Sequence, residues 1–453
     1  MDLGRGDALA LLGAALFVVT MAVGAGTAPS LVQGGDGERT TLVGIQGGGT
    51  GWHEHGAVAR YEGTEEVRRA ETADSYFDVT ANDDGTVLAG FMDGGRQACG
   101  PYESPCTVTG YQVLDPDAEN PVVDEYSFPV RTAKNSETHD VEHLGGSEYL
   151  LSDMEHERLF VVDRSTEEVV WSWNASELYD APEDPTTTDW LHINDVDVVS
   201  EGRYLVSVRN ANQLVVVERG EGAVEVINED DDDADDDSCR RRGGLRDTDG
   251  DGDVRCGDPE VLDHQHNPQW LSEDAVLVAD SDNDRVVELH RTADGDWEPV
   301  WTLTSAGGVA LDWPRDADRL PNGNTLVTDT LNQRVVEVNR SGEVVWSIQT
   351  RYVPYEAERV PPGETVGAAT YGDDGPSPGE DTGDVPVLSL ALVAIRSVWS
   401  GLPFWFGELE LGVTLVSLVV VAGGLIDRRR TGGAGDAPAA SAGGTDEGAD
   451  GER

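Results

Sequence analysis

Between Thr40 and Gln349 the chain runs in short Val-, Leu- and Thr-rich stretches separated by Gly, Asn and Asp, with almost no helical periodicity. Apolar runs of that length, bounded by turn residues, predict strands, and this many of them predict an all-β domain. Two stretches are nearly the same sentence: "VLVADSDNDRVVEL" (Val276–Leu289) and "TLVTDTLNQRVVEV" (Thr325–Val338).

The likeness extends to a register. An Asp or Asn before a turn is followed ten residues later by leucine: Asp78 and Leu88, Asp140 and Leu150, Asp195 and Leu205, Asn267 and Leu277, Asp316 and Leu326. Thirteen residues after the anchor stand Asp153, Asp280 and Asp329; at eighteen stand Arg158, Arg285 and Arg334, with Gln213 in the same slot. Three units close on "EEVVWSW", "WEPVWTL" and "GEVVWSI". A loop, a strand, a turn, further strands and a tryptophan strand make one four-stranded propeller blade of roughly 40–50 residues. With the less regular "TTLVGIQGGG…GAVARYEGTEEVRR" as the first unit, the pattern predicts a six-bladed β-propeller over 34–355, the first strand of each blade nearest the axis. The recurring Asp and Arg are expected to be structural pairs.

Both ends read differently. Ala8–Gly26 carries no charge over nineteen residues, and Leu411–Ile426 is apolar, with Trp405 and Phe406 before it and Arg428, Arg429 and Arg430 after it. These lengths suit a bilayer core, and arginines at one flank keep that flank inside, which puts the propeller on the extracytoplasmic side of a cell membrane. The pattern therefore predicts a signal-anchor over 1–33 and transmembrane helices at both termini, the second over 408–427. It also predicts a linker over 356–384, an interfacial amphipathic segment over 385–407 interrupted by Arg396, and a disordered cytoplasmic tail over 428–453.

Composition narrows the partners. The formal net charge is −56, and among the 31 basic residues Lys134 is the one lysine. Such a surface repels phosphates and excludes nucleic acid as a partner; it suits a protein that stays hydrated in concentrated salt. Four cysteines fall into two local pairs, Cys99 with Cys106 in "CGPYESPC" and Cys239 with Cys256 around an acidic insertion over 229–260. Disulfides in an oxidising compartment fit both, whereas neither spacing fits a zinc site. Within the insertion, Asp247, Asp249, Asp251, Gly252 and Asp258 stand at positions 1, 3, 5, 6 and 12 of a twelve-residue calcium loop, with Asp253 at position 7. A structural Ca²⁺ is one expectation and a merely solvated acidic loop the other.

The residues just before the anchors enter the inner strands and should converge on the channel mouth: Phe77, His139, Asn194, His266 and Arg315. His192 lies two before Asn194, as His264 lies two before His266, so period two places both on the same side as their neighbours. Trp190 and Trp313 flank the group. Imidazoles mixed with Asn and Arg argue against a zinc centre, which needs clean ligands and acids behind them. They suit a tetrahedral anion, with imidazole to attack and guanidinium to neutralise.

"DWLHINDVDVV", "QHNPQWL…NDR" and "RDADRLPNGNTLVTDTLNQRVVEV" together resemble the arylsulfate sulfotransferase family of six-bladed propellers, over roughly Thr40 to Gln349. The resemblance implies transfer of a sulfuryl group from a small aryl sulfate to a phenolic acceptor through a channel histidine, with no cofactor required. It matches His192 and Asn194 to the family's W-x-H-x-N element, His266 and Asn267 to the next histidine-bearing blade, and Arg285 to the anion-binding arginine. One departure matters. Arg315 stands where the family's nucleophilic histidine sits, and arginine stays protonated and cannot attack sulfur. Either His266, the expected nucleophile, or His139 attacks while Arg315 binds the sulfuryl oxygens, or the chain is a binding propeller like those built from NHL-type repeats.

Overall fold

A computed structural model describes residues 4–34, 39–134, 136–230, 236–247, 250, 254–361, 363, 365–372, 386–399 and 402–432. It divides into two compact units, one made of the terminal helices and one of the β-structure.

The β-unit is a six-bladed propeller of four-stranded antiparallel sheets. Blades 2 to 6 are each contiguous in sequence, beginning at Ser75, Val141, Ile193, His266 and Pro314. Blade 1 is composite. Its three outer strands are Thr40–Gly47, Ala57–Glu62 and Glu65–Ala70, and its innermost strand is Val353–Val360 from the far end of the domain. The propeller therefore ends at Val360 rather than at 355. Pairing with Thr40–Gly47 holds that last strand and closes the ring. The segment expected to be a linker is also partly docked. Thr365 and Ala369 accept hydrogen bonds from Gln269 and Arg319, and the Tyr371 ring lies 3.2 Å from the Arg319 guanidinium carbon.

A ring of side-chain bonds joins each blade to the next. Val79 N–H donates to Glu356 (3.2 Å), Val141 to Asp78 (3.4 Å), Val196 to Asp140 (2.6 Å) and Trp270 to Asp197 (3.3 Å). Arg319 N–H donates to Gln269 (2.7 Å) and Ala357 to Asp316 (2.9 Å), which completes the circle. Three anchors of the repeat, Asp78, Asp140 and Asp316, are thus blade-to-blade acceptors, and Asp197 and Gln269, two residues after the anchors Asp195 and Asn267, take that task in their blades. Each satisfies a buried backbone donor that would otherwise cost roughly 1–3 kcal/mol.

The Asp–Arg pairs form inside blades: Arg158 to Asp153 (2.8 Å), Arg285 to Asp280 (2.6 Å) and Arg334 to Asp329 (2.6 Å). The free carboxylate oxygens of two of them hold the loops that enter the channel, accepting Asp263 N–H (2.7 Å) and Asp312 N–H (2.9 Å). Both cysteine pairs are disulfides, with Cα–Cα distances of 5.7 Å and 6.0 Å.

In the other unit, the helices Arg5–Thr27 and Glu408–Gly432 pack against each other through small residues. A Cβ on Gly6 would lie 2.6 Å from the Arg428 nitrogen, and one on Gly13 2.8 Å from the Ser417 carbonyl. Both helices are long and apolar enough to cross a membrane. Arg396, expected at an interface, is buried in the β-unit as the ion-pair partner of Asp312. The tail beyond residue 432 lies outside the described residues.

Candidate functional site

One residue from each inner strand reaches the channel mouth: Phe77, His139, Asn194, His266 and Arg315, as the register predicted, and Tyr355 from the closing strand. Tyr355 is the hub. It stacks on His139 at 5.2 Å and meets Phe77 and His266 edge-on at 5.4 Å and 6.1 Å. The Arg315 guanidinium lies 5.0 Å from the Tyr355 ring. His192 stacks on the other face of the group, 5.1 Å from His139. His139, His192, His266, Arg315 and Tyr355 are all buried.

Backbone geometry brings His192 there by a route other than period two. His192, His264 and Trp313 hold equivalent places two residues before the mouth and adopt φ of 56°, 60° and 53°. Left-handed backbone at three non-glycine residues is strain of the kind that functional sites store. The buried Glu157 carboxylate sustains it in blade 4 by accepting the N–H groups of Leu191, His192 and Ile193 at 3.1, 2.7 and 2.9 Å. His264 is turned to Asp282 and Asn210 instead.

Each polar group has a set orientation. Ser281 Oγ lies 2.7 Å from His266 Nδ1 and gives its hydrogen to the Pro314 carbonyl at 2.6 Å. A hydroxyl whose proton is committed can only accept, so His266 carries its proton on Nδ1 and its lone pair on Nε2. His192 Nδ1 lies 2.7 Å from Asp189 Oδ1, which leaves its Nε2 free in the same way. Arg315 binds Gln46 and lies 4.4 Å from the Trp313 ring and 5.3 Å from the Trp52 ring, which themselves meet at 5.3 Å and 54°. Among the described residues no carboxylate lies within ion-pair distance of it. Trp313 also meets the His266 ring edge-on at 6.0 Å, and Val393 packs on the Trp52 and Trp313 cluster.

Burial sets the charge states. It drives His266 well below the ordinary 6.5, helped by Arg315 and Arg209, and drives His139 down likewise, helped by His192. His192 falls to about 4, first by burial and then by Arg209, against the pull of Asp189. Burial also lowers Arg315 to about 10, where it remains a cation at neutral pH. The cluster therefore gathers neutral imidazoles beside fixed positive charge.

Two expected residues lie elsewhere. Trp190 is in the hydrophobic core with Leu150, Tyr179 and Val206, because the chain turns at His192 and sends the indole inward. Arg285 is spent on Asp280 and on the carbonyls of Glu260 and Val261, so it braces the loop and does not face the cavity. Asn194 and Asn267 are present but held: their amide nitrogens donate to Gln265 O (2.9 Å) and Glu356 (3.2 Å). Those bonds fix the amide orientation and leave both Oδ1 atoms buried without a donor. Asp247 and Asp258 make local bonds to Gly250 N–H and Glu260 N–H, while Asp249, Asp251 and Asp253 lie outside the described residues.

Residues not expected from the sequence are Tyr355, Glu137, Asp189, Ser281 and Arg209. The last two had a signal. They stand fourteen residues after the anchors Asn267 and Asp195, one shared repeat position.

A family model described as Arylsulfotransferase (ASST) matches residues 141–296, which run from the inner strand of blade 3 into blade 5. No curated protein matches the chain. Among solved structures, a protein of unknown function from Bacteroides caccae aligns at 14% identity and a TM-score of 0.46, over 72% of this chain and 100% of its own. The periplasmic gluconolactonase PpgL of Pseudomonas aeruginosa aligns at 13% and 0.41, over 71% and 99%. Virginiamycin B lyase of Staphylococcus aureus aligns at 9% and 0.34, over 60% and 69%.

Proposed function

We propose that this chain is an arylsulfotransferase-like protein that moves a sulfuryl group from an aryl sulfate to a phenol through His266. The observation that carries the reading is a buried cation with no carboxylate at ion-pair distance among the described residues, beside an imidazole whose free lone pair is fixed. Arg315 is that cation and His266 that imidazole. The arylsulfotransferase match over blades 3 to 5 supports the reading independently.

In the first half-reaction, His266 Nε2 attacks sulfur as the S–O bond to the aryl group breaks. The aryl oxygen leaves with the electron pair, and a sulfo-imidazolium remains. In the second, the oxygen of a phenol attacks sulfur, the N–S bond breaks and its pair returns to Nε2, while the phenol's proton passes to the departed aryloxide or to solvent. Such displacement depends on positioning and charge neutralisation. Arg315 neutralises the sulfuryl oxygens in both steps, Phe77, Tyr355 and Trp313 supply faces for the aromatic rings, and the open Asn194 Oδ1 accepts from the incoming hydroxyl. The two apolar helices anchor the protein in a membrane with the disulfide-bearing propeller on the extracytoplasmic side.

The test is transfer from a chromogenic aryl sulfate to phenol by the full chain. His266→Ala is expected to lower the rate by about 10³-fold or more. Wild-type protein that binds sulfated aromatics without turnover would leave a recognition pocket in place of an enzyme.

A further inference from the structure

Beside the transfer site lies a second constellation that sulfuryl chemistry does not use. Glu137, His139 and His192 each offer one ligand atom, and those three atoms lie within 4.8 Å of one another. All three residues are buried. The mixture of Asn and Arg at the mouth argued against such a centre, but the missing acids come from the entry loops: Glu137, two residues before His139 where other blades carry His192, His264 and Trp313, and Asp189, three before His192.

The donors are organised as a metal site requires. His192 presents Nε2 because Asp189 holds its Nδ1 at 2.7 Å, the carboxylate–histidine arrangement that fixes tautomer and raises ligand basicity. His139 Nε2 lies 3.8 Å from Glu137 Oε2, while the backbone of Ile193 acts on its ring and Nδ1 makes no full hydrogen bond. The other oxygen of Glu137 faces His53 Nε2 at 3.4 Å, and His53 is in turn held by Ser75 at 3.0 Å. Ligand atoms around a tetrahedral zinc stand about 3.3 Å apart, so side-chain shifts of about an ångström would close the set.

We infer that Glu137, His139 and His192 bind one divalent transition-metal ion of the zinc class, with Asp189 and His53 as outer supports and at least one coordination position left open. Two imidazoles and one carboxylate leave such a position for water or an anionic oxygen. The inference does not depend on sulfuryl transfer.

The experiment uses the full chain, stripped with chelator and titrated with Co²⁺ in high salt with excess Mg²⁺ and Ca²⁺ to occupy surface carboxylates. One equivalent should give visible d–d absorption that Zn²⁺ abolishes. His192→Gln and Glu137→Gln should each remove it, Asp189→Asn should weaken binding about 10- to 100-fold, and His143→Gln, at an exposed residue, should change nothing. Absence of the absorption in folded wild-type protein, or its persistence in His192→Gln, would overturn the assignment. Should a variant fail to fold, X-ray absorption of the wild-type zinc form decides: about two imidazole nitrogens support the site, and an all-oxygen shell refutes it.

Discussion

Ser281 determines which nitrogen of His266 is free. With its own hydrogen on the Pro314 carbonyl 2.6 Å away, it can only accept the Nδ1 proton at 2.7 Å, and the Nε2 lone pair is left for attack. In the proposed reading the nucleophile sits one blade before the family's position, and Ser281 supplies the orientation it needs there. Replacing Ser281 by Ala removes one hydrogen bond, about 1 kcal/mol, so kcat should fall roughly five- to tenfold with KM little changed. Steady-state kinetics of the folded variant check this; an unchanged kcat would remove the orienting role.

The pH profile follows from the depressed basicity of His266. Its lowered pKa, due first to burial and then to Arg315, means that protonation, which blocks attack, occurs below the ordinary 6.5. The value of kcat/KM should stay flat through that pH instead of bending there. Arg315→Gln removes the second-largest of its causes and should move the acid limb upward while weakening substrate binding. An inflection near 6.5 in the wild type would show an exposed or differently placed base.

Stability should separate chemically identical pairs by burial. Arg334 and Asp329 are 3% and 0% exposed, whereas Arg158 is 30% exposed beside Asp153. Arg334→Ala strands a buried carboxylate and should cost about 3–5 kcal/mol; Arg158→Ala leaves the equally buried Asp153 still paired with His156 at 3.1 Å and should cost less, about 1–2 kcal/mol. Chemical denaturation of the two variants reads the difference.

Most of the fold was legible because a propeller repeats its chemistry. Asp140 and Asp316 do the same task in different blades, so one offset found five of the six units. Tyr355 escaped because its strand completes a blade whose other strands lie near Thr40, and local register cannot show a pairing across that much chain. Trp190 misled because adjacency along an extended strand does not survive the left-handed turn at His192. Asp189 sits outside the repeat register, and Glu137 and Glu157 fill register places that carry other residue types in other blades (His192, His264 and Trp313 for the first, Asn212 and Asp284 for the second), so their convergence on the histidines required tertiary structure.

The account rests on His266 carrying the sulfuryl group, and trapping tests that most directly. The full chain is incubated with an aryl sulfate in the absence of a phenol and digested for mass spectrometry under conditions that preserve phosphoramidate-like N–S bonds. One sulfuryl adduct on the peptide bearing His266, absent in His266→Ala and discharged by added phenol, is the predicted result. Turnover with the adduct on another residue, or with none at all, would contradict the account.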